Sequence, residues 1–364
     1  MKPTELIACP GDGIGPEIMA VTLKLLQTVN DSLALGLTVR EADVGFASLA
    51  KTGSTVPDNF IESIKPAAGM ILGPCDTKAY PPPSQGGVNP SARLRLGLGL
   101  YANLRPSRVL PGLPAIVPQM DVLIARENTE GFLADRNMYL GPGEFMPTPD
   151  VAISLRKITV QGSRQIARAA CEAALDRRKK LTIVTKVNGL KVTDGLFLRE
   201  ARAVAGEFPD LDVNEMLVDA IATDLVRKPH LFDVIVTTNL FGDILSNEAS
   251  GLCHGLGMAG SLNCGDTYAM GQSAHGSAPR IAGQNIANPC SLIFSTCLLL
   301  DWLSRKHQRA DLGRAAALID QAVKETVRNP KTRTADLGGA LGTRQFGEAV
   351  QKRLIALTEE TQPA

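Results

Sequence analysis

Residues 6–17, Leu6-Ile7-Ala8-Cys9-Pro10-Gly11-Asp12-Gly13-Ile14-Gly15-Pro16-Glu17, read as an aliphatic strand that runs into a glycine turn and on into a helix. Pro16 suits a first helical turn, where a missing N–H leaves no bond unmade, and Ile18, Val21, Leu25 and Leu26 then recur on one helical face. A strand joined to an amphipathic helix by a tight turn is the repeating unit of α/β architecture. The alternation continues outward from this unit. Short aliphatic runs predict strands at residues 37–44, 69–73, 122–126, 181–186 and 233–238, and helical periodicity predicts helices at 163–179, 196–205, 312–327 and 345–357. The Pro/Gly-rich segments 79–90 and 141–149 read as long loops, and the basic run 177–180 as a solvated helix C-terminus rather than a phosphate site.

The chain has 364 residues, enough for two ordinary domains or one large α/β unit. With 44% hydrophobic and 21% charged residues it can fill a core and still cover itself with polar surface, which argues against extended disorder. Its 38 basic and 37 acidic residues leave a formal charge of +1, so no basic excess is present to hold a nucleic acid or an acidic membrane. Aromatic residues at 4% also disfavour base-stacking surfaces. Seven cysteines without C-x-x-C spacing read as reduced core residues of a cytoplasmic protein. The apolar run at residues 6–9 is too short for a signal peptide, and the longest apolar stretch, 291–303, is interrupted by Ser295, Thr296 and Asp301, so no membrane span is expected.

Five clusters carry residues suited to chemistry. The amides of the glycine turn can face an anion or a cofactor, although the spacing is neither G-x-G-x-x-G nor a P-loop and suits a plain turn equally well. The second cluster joins Asn89-Pro90-Ser91, Arg95, the segment Tyr101-Ala102-Asn103-Leu104-Arg105-Pro106, and Arg126-Glu127-Asn128-Thr129-Glu130-Gly131. Guanidinium forks match carboxylates, so Arg95, Arg105 and Arg126 suit a dicarboxylate if they converge; separate surface salt bridges are the plainer reading. The third is Lys186-Val187-Asn188 at a strand end, where α/β proteins place ligands and partial desolvation draws a lysine toward general-base range. In the fourth, Asp219 accompanies residues 238–248; Asp243 and Asn247 share a helical face and offer oxygen ligands to Mg²⁺ or Mn²⁺, against the alternative of a helix cap at Asp243. The fifth is His275-Gly276-Ser277-Ala278-Pro279-Arg280 with Gly283, Ala287 and Asn288, where small residues admit a flat ligand and Arg280 offers a guanidinium to a phosphate. His275 stands alone and is assigned no metal.

In this order the clusters resemble the metal-dependent β-decarboxylating dehydrogenases, the family of isocitrate, isopropylmalate, tartrate and D-malate dehydrogenases. The resemblance runs from Leu6 to about Gly347. It implies an α/β two-domain fold with a large mixed sheet flanked by helices. Residues 1–100 and 254–364 would form a large cofactor-binding domain, and residues 101–253 a small domain for substrate, metal and dimerisation. It implies a homodimer with shared active sites. Arg95, Arg105 and Arg126 would bind the carboxylates of a malate-like substrate, and Asn89 and Ser91 would read its C3 substituent. Asp243 and Asn247 would hold Mg²⁺ or Mn²⁺, with Asp219 reaching in from the other subunit. Lys186, also entering across the interface, would move a proton, and Asp219 would count with it as a catalytic residue. Ile14, Asn188, His275, Gly276, Ser277, Ala278, Arg280 and Asn288 would face NAD or NADP.

Four positions depart from the family pattern. Leu133 stands where a tyrosine usually donates a proton to the enol, with Tyr139 as a substitute six residues on. Asn247 replaces an aspartate and removes one negative charge from the metal position, and Gly99 replaces an acidic residue. Arg280 replaces the aspartate that binds the adenosine ribose in NAD-dependent members, which points toward NADP. Leu133 and Asn247 together also suit a rival reading, a catalytically weak binding or regulatory subunit. Asn89 and Ser91 are small and polar, which favours hydrogen, hydroxyl or carboxylate at C3 over an isopropyl group.

Overall fold

A computed structural model describes residues 4–132, 138–141 and 143–360. Its strands are β1 (Thr4–Cys9), β2 (Leu37–Glu41), β3 (Gly69–Leu72), β4 (Ala102–Arg108), β5 (Asp121–Glu127), β6 (Glu144–Thr148), β7 (Val151–Ser154), β8 (Lys180–Thr185), β9 (Asp212–Leu217), β10 (Val234–Thr237), β11 (Leu262–Cys264) and β12 (Ala269–Gln272). Its helices are α1 (Gly15–Leu33), α2 (Phe46–Thr52), α3 (Phe60–Ile64), α4 (Pro90–Gly97), α5 (Val160–Leu175), α6 (Thr193–Ala205), α7 (Val218–Arg227), α8 (Asn239–Cys253), α9 (Cys290–His307), α10 (Ala310–Arg328) and α11 (Thr343–Glu360).

Ten strands form one mixed sheet in the order β2-β1-β3-β12-β11-β4-β5-β10-β8-β9. Parallel pairing holds within β2-β1-β3-β12 and within β5-β10-β8-β9, and the two blocks meet through antiparallel β12-β11-β4-β5. One block is drawn from both ends of the chain and the other from its middle. Residues alternate between the two faces as a pleated strand requires. In β1, Leu6 and Ala8 join the large core under α1, α9, α10 and α11, whereas Ile7 and Cys9 join a second core with Phe60, Ile64 and Leu94. A third core, with Ile124, Ile221 and Leu245, lies under α7 and α8. Burial on both faces explains why the strands read as near-continuous aliphatic runs.

Two sequence expectations are corrected. The basic run 177–180 lies past the end of α5, which stops at Leu175; Arg178, Lys179 and Lys180 are exposed, but Arg177 turns inward, donating to Asp233 at 2.7 Å and to Asp121 at 2.8 Å. Asp233 is fully buried and needs that cation, while Lys180 opens β8. Segment 141–149 contains β6, which pairs antiparallel with β7 in a hairpin exposed along both strands. Among the described residues no helix is long and apolar enough to cross a membrane.

His254, at the end of α8, accepts from the Leu110 amide through Nε2 at 2.7 Å and lies 2.9 Å from the Pro114 carbonyl through Nδ1. These partners select the neutral Nδ1–H tautomer, and burial holds the imidazole below its ordinary value of 6.5. Protonation removes the Nε2 acceptor, so this contribution to stability is complete above about pH 6.5 and is lost as pH falls toward the lowered folded value. Thermal melts from pH 8 to 5 should show an acid slope that His254→Gln makes shallower. An unchanged slope would remove His254 from this role.

Candidate active site

At the junction of the two blocks, strand register places Asn103 opposite both Asn263 and Arg126, and Arg105 opposite Ile124. Paired residues share a face, so Asn103, Arg105, Arg126, Asn263 and, by its period-two offset from Met270, Gln272 all project from the face opposite the large core. They form a polar strip between the second and third cores, across the centre of the sheet. Asn263 and Gln272 were not singled out in the sequence, and Asn103 was named only within its segment; the alternation of Asn103 and Arg105 with apolar neighbours in β4 is the signal that marks its polar face.

Arg126 ends β5 and lies against the first turn of α8. Its Nε donates to the Asn239 carbonyl at 2.9 Å, one terminal nitrogen to Asn239 Oδ1 at 2.7 Å, and the other to Asp243 Oδ1 at 2.5 Å. A Cβ at Gly242 would fall 2.6 Å from the Arg126 side chain, so only glycine lets the helix approach this closely. Arg105 reaches the same Asp243 oxygen at 3.3 Å and Ser246 Oγ at 2.9 Å. Its Nε is buried with no partner among the described residues, and burial holds the guanidinium below its ordinary value. Two desolvated guanidiniums share one half-exposed carboxylate, and Arg105 retains donor capacity for a second anion.

Arg95, on α4, donates to Gln272 Oε1 at 3.3 Å; the same oxygen lies 3.0 Å from Ser91 Oγ and 3.2 Å from Asn263 Nδ2. An arginine can only donate, which fixes the Gln272 oxygen toward it. Asn89 caps α4, its Oδ1 accepting from the Ala92 amide at 3.2 Å. The glutamates of the 126–131 segment are structural. Glu127 accepts from the Thr129 and Glu130 amides at 2.6 and 2.9 Å, and Glu130 from the Thr159 amide at 2.9 Å. Burial raises the Glu127 carboxyl above its usual range.

Asp243 and Asn247 do share one stripe of α8, together with exposed Leu240 and Ile244; Asn247 is itself exposed. Lys186, just past β8, donates to Asp219 Oδ1 at 2.6 Å, and that ammonium holds the Asp219 carboxyl below the usual range. Both are solvent-accessible and neither hydrogen-bonds to Asp243. Among the described residues no three His, Cys, Asp or Glu side chains cluster to hold a metal. Asp243 and Asn247 present side-chain oxygens on one stripe, of the hard type that suits Mg²⁺ or Mn²⁺, and two such donors alone do not fill a coordination shell.

A cavity of about 440 Å³ is lined by Ile14, His275, Gly276, Ala278, Asn288 and Asp336, among others. Five of these are predicted cofactor residues; Asp336, which accepts from Asn288 Nδ2 at 2.9 Å, was not singled out. His275 Nδ1 lies 2.9 Å from the Gly276 carbonyl, which leaves Nε2 buried and without a partner among the described residues, an orphan that fits a ligand bringing its own donor. Burial holds the His275 imidazole below its ordinary value. Ser277 is buried and its carbonyl accepts from the Ile14 amide at 2.9 Å, so the glycine turn docks onto this loop. Asp12 of that turn accepts from the Phe46 and Asp76 amides at 2.8 and 2.9 Å and from the Tyr80 hydroxyl, which makes it a loop organiser. Arg280 is exposed on the 3-10 turn beside the cavity, and Asn188 is exposed two residues beyond Lys186, outside the cavity lining. Tyr139 is fully exposed, and Leu133 lies outside the described residues. Gly99 has φ +63°, a conformation that penalises an acidic side chain there, so its departure has a backbone reason.

The chain thus combines a mixed α/β sheet, two buried arginines gathered on the Asp243 carboxylate of α8, and a separate cavity that holds five of the predicted cofactor residues. The family model for isocitrate/isopropylmalate dehydrogenase matches residues 5–350. The chain is 40% identical over 355 residues to 3-isopropylmalate dehydrogenase of Methanothermobacter thermautotrophicus, covering 97% of this chain and 99% of the relative. It is 40% identical over 349 residues to isocitrate/homoisocitrate dehydrogenase of Thermus thermophilus, covering 95% and 97%. The crystal structure of isocitrate dehydrogenase from Methylococcus capsulatus superposes with a TM-score of 0.84 at 34% identity, covering 98% of this chain and all of that one. The chain belongs to the isocitrate/isopropylmalate dehydrogenase family. It is an NAD(P)-dependent hydroxy-acid dehydrogenase, and nothing in these comparisons supports the rival reading as a regulatory subunit.

Proposed function

We propose that a homodimer of this chain oxidises a (2R)-hydroxy dicarboxylate of the malate class, using NADP and Mg²⁺ or Mn²⁺, with or without loss of the β-carboxylate. The observation that carries this reading is the convergence of Arg105 and Arg126 on Asp243, next to the Arg95 and Gln272 group on one polar strip. The arginines would orient the substrate carboxylates. Asp243 and Asn247 of one copy with Asp219 of the second would hold the divalent ion. Lys186 of the second copy would accept and return the proton of the C2 hydroxyl. Nicotinamide and metal ion, when bound, supply hydride acceptance and Lewis-acid polarisation of that oxygen. The exposed apolar stripe Leu240 and Ile244 beside the metal position, and the exposed hairpin with Phe145, Met146 and Val151, support a second copy covering this side. We further divide the chain into a domain of residues 1–100 and 254–364 and a domain of residues 101–253, which matches the two blocks of the sheet.

Within the substrate class, the hydroxyl of Ser91 and the small polar Asn89 favour hydrogen, hydroxyl or carboxylate at C3. D-malate, tartrate, isocitrate and isopropylmalate with either metal and either cofactor test the reading; no reduced nicotinamide from any of them at high enzyme concentration would overturn it. The ratio of CO₂ to reduced cofactor then reports decarboxylation, which Leu133 should slow and Leu133→Tyr should raise.

The preference for NADP rests on Arg280, whose exposed guanidinium at the cavity rim can pair with a 2′-phosphate. Arg280→Asp should lower kcat/KM with NADP on the order of 10- to 100-fold, the size of a lost charge-assisted hydrogen bond, and raise it with NAD. An unchanged NADP-to-NAD ratio would assign Arg280 to solvent.

A further inference from the structure

Arg156 belongs to none of the sequence clusters. It sits between β7 and α5 with only 7% of its side chain exposed. Its guanidinium carbon lies over two rings, 5.7 Å from the centroid of Phe132 and 5.3 Å from that of Phe241. One terminal nitrogen pairs with Asp194 and donates to Thr193 Oγ1 at 2.9 Å, and the other donates to Thr238 Oγ1 at 3.0 Å. The Asp194 carboxylate is fully buried, and its second oxygen accepts the backbone N–H of Lys186. A continuous set of charge-assisted hydrogen bonds therefore runs from the Lys186 backbone through Asp194 and Arg156 to Thr238, the residue before Asn239, which grips Arg126.

We infer that Arg156 is a positioning residue for Lys186, fixing where β8 presents that lysine relative to the first turn of α8. The inference rests on the reading of Lys186 as the proton-transfer group. A buried ion pair of this kind is a poor source of net stability, since desolvation offsets much of the attraction, but it holds its partners in one geometry. The job needs the shape of arginine. Two targets on different elements are reached by one rigid fork whose cationic carbon also lies over two aromatic rings, and a lysine offers a single ammonium with no plane. Because α8 also carries the exposed stripe Leu240 and Ile244, the same link sets the position of Lys186 against the surface assigned to the second copy.

The test is a double-mutant cycle on the dimeric enzyme with Arg156→Lys and Lys186→Met, read as kcat and KM alongside circular dichroism and thermal melting. Alone, Arg156→Lys should lower kcat by about 10- to 100-fold, as losing a residue that orients an active group does, with KM for the hydroxy acid within about threefold. In the Lys186→Met background it should cost less than about twofold, because the group it positions is gone. Additive losses, or a loss carried by KM, would overturn the role of Arg156 while leaving that of Lys186 intact. If Lys186→Met alone leaves kcat unchanged, the reading of Lys186 fails and the inference falls with it. Should Arg156→Lys not fold, Thr238→Val removes only the link to α8 and should show the same non-additivity on a loss of roughly three- to tenfold.

Discussion

Lys186→Met is expected to lower kcat by about 10²- to 10⁴-fold, the range for removing a general acid–base group, while KM for the hydroxy acid changes little. Lys186 stands past the end of a parallel strand, paired with Asp219 at 2.6 Å on an accessible surface. An exposed pair of this kind is screened by solvent and contributes little to folding, so the variant should melt close to the parent. That separation gives the prediction its force. A structural lysine would alter stability and leave turnover alone, whereas a proton-transfer lysine does the reverse. Steady-state kinetics with a melting curve on one preparation decide between them, and a kcat within threefold of the parent would remove Lys186 from the reaction.

Arg105→Met should lower kcat/KM by about 30- to 3,000-fold, the effect of losing a desolvated charged partner worth roughly 2–5 kcal/mol. Losing one member of a buried ion pair ordinarily costs stability, because the other charge is left uncompensated. Here Arg126 still holds Asp243 at 2.5 Å after Arg105 is gone, and the orphaned Arg105 Nε disappears with it. The variant should therefore fold and melt within a few degrees of the parent while binding substrate poorly. A large drop in melting temperature with kcat/KM preserved would make Arg105 a scaffold residue. Arg126 offers no such contrast, since it also ties β5 to Asn239, and its loss would affect fold and turnover together.

The α/β architecture was legible because strands buried on both faces read as aliphatic runs and the helices carry clear periodicity. β8, β10 and α10 lie within two residues of their expected bounds. Hairpin β6-β7 was not legible, since Pro147, Pro149 and the glycines around it punctuate the segment as a loop would, and its strands pack on no core. The inward turn of Arg177 could not be read either, because its partners Asp121 and Asp233 lie 56 residues away on either side in sequence. The site divides along the same line. Arg105, Arg126 and Asp243 were identified individually and their order carried the family resemblance, but their convergence depends on the register of β4 against β5 and on Gly242 admitting α8. Asn263 and Gln272 went unnoticed, and Asn103 was read only as part of its segment, because the polar alternation of such short strands gains its meaning when the sheet order places them side by side. Arg156 and Asp194, 38 residues apart, were hidden for the same reason.

The most direct measurement of the central claim uses a hydroxy dicarboxylate deuterated at C2, incubated with the protein, Mn²⁺ and NADP, with the reduced cofactor analysed by mass spectrometry. Direct hydride transfer in a site built by Arg95, Arg105, Arg126 and Asp243 places one deuterium on the nicotinamide ring. Reduced cofactor without deuterium, or no reduced cofactor from any member of the substrate class with either NADP or NAD, would contradict it.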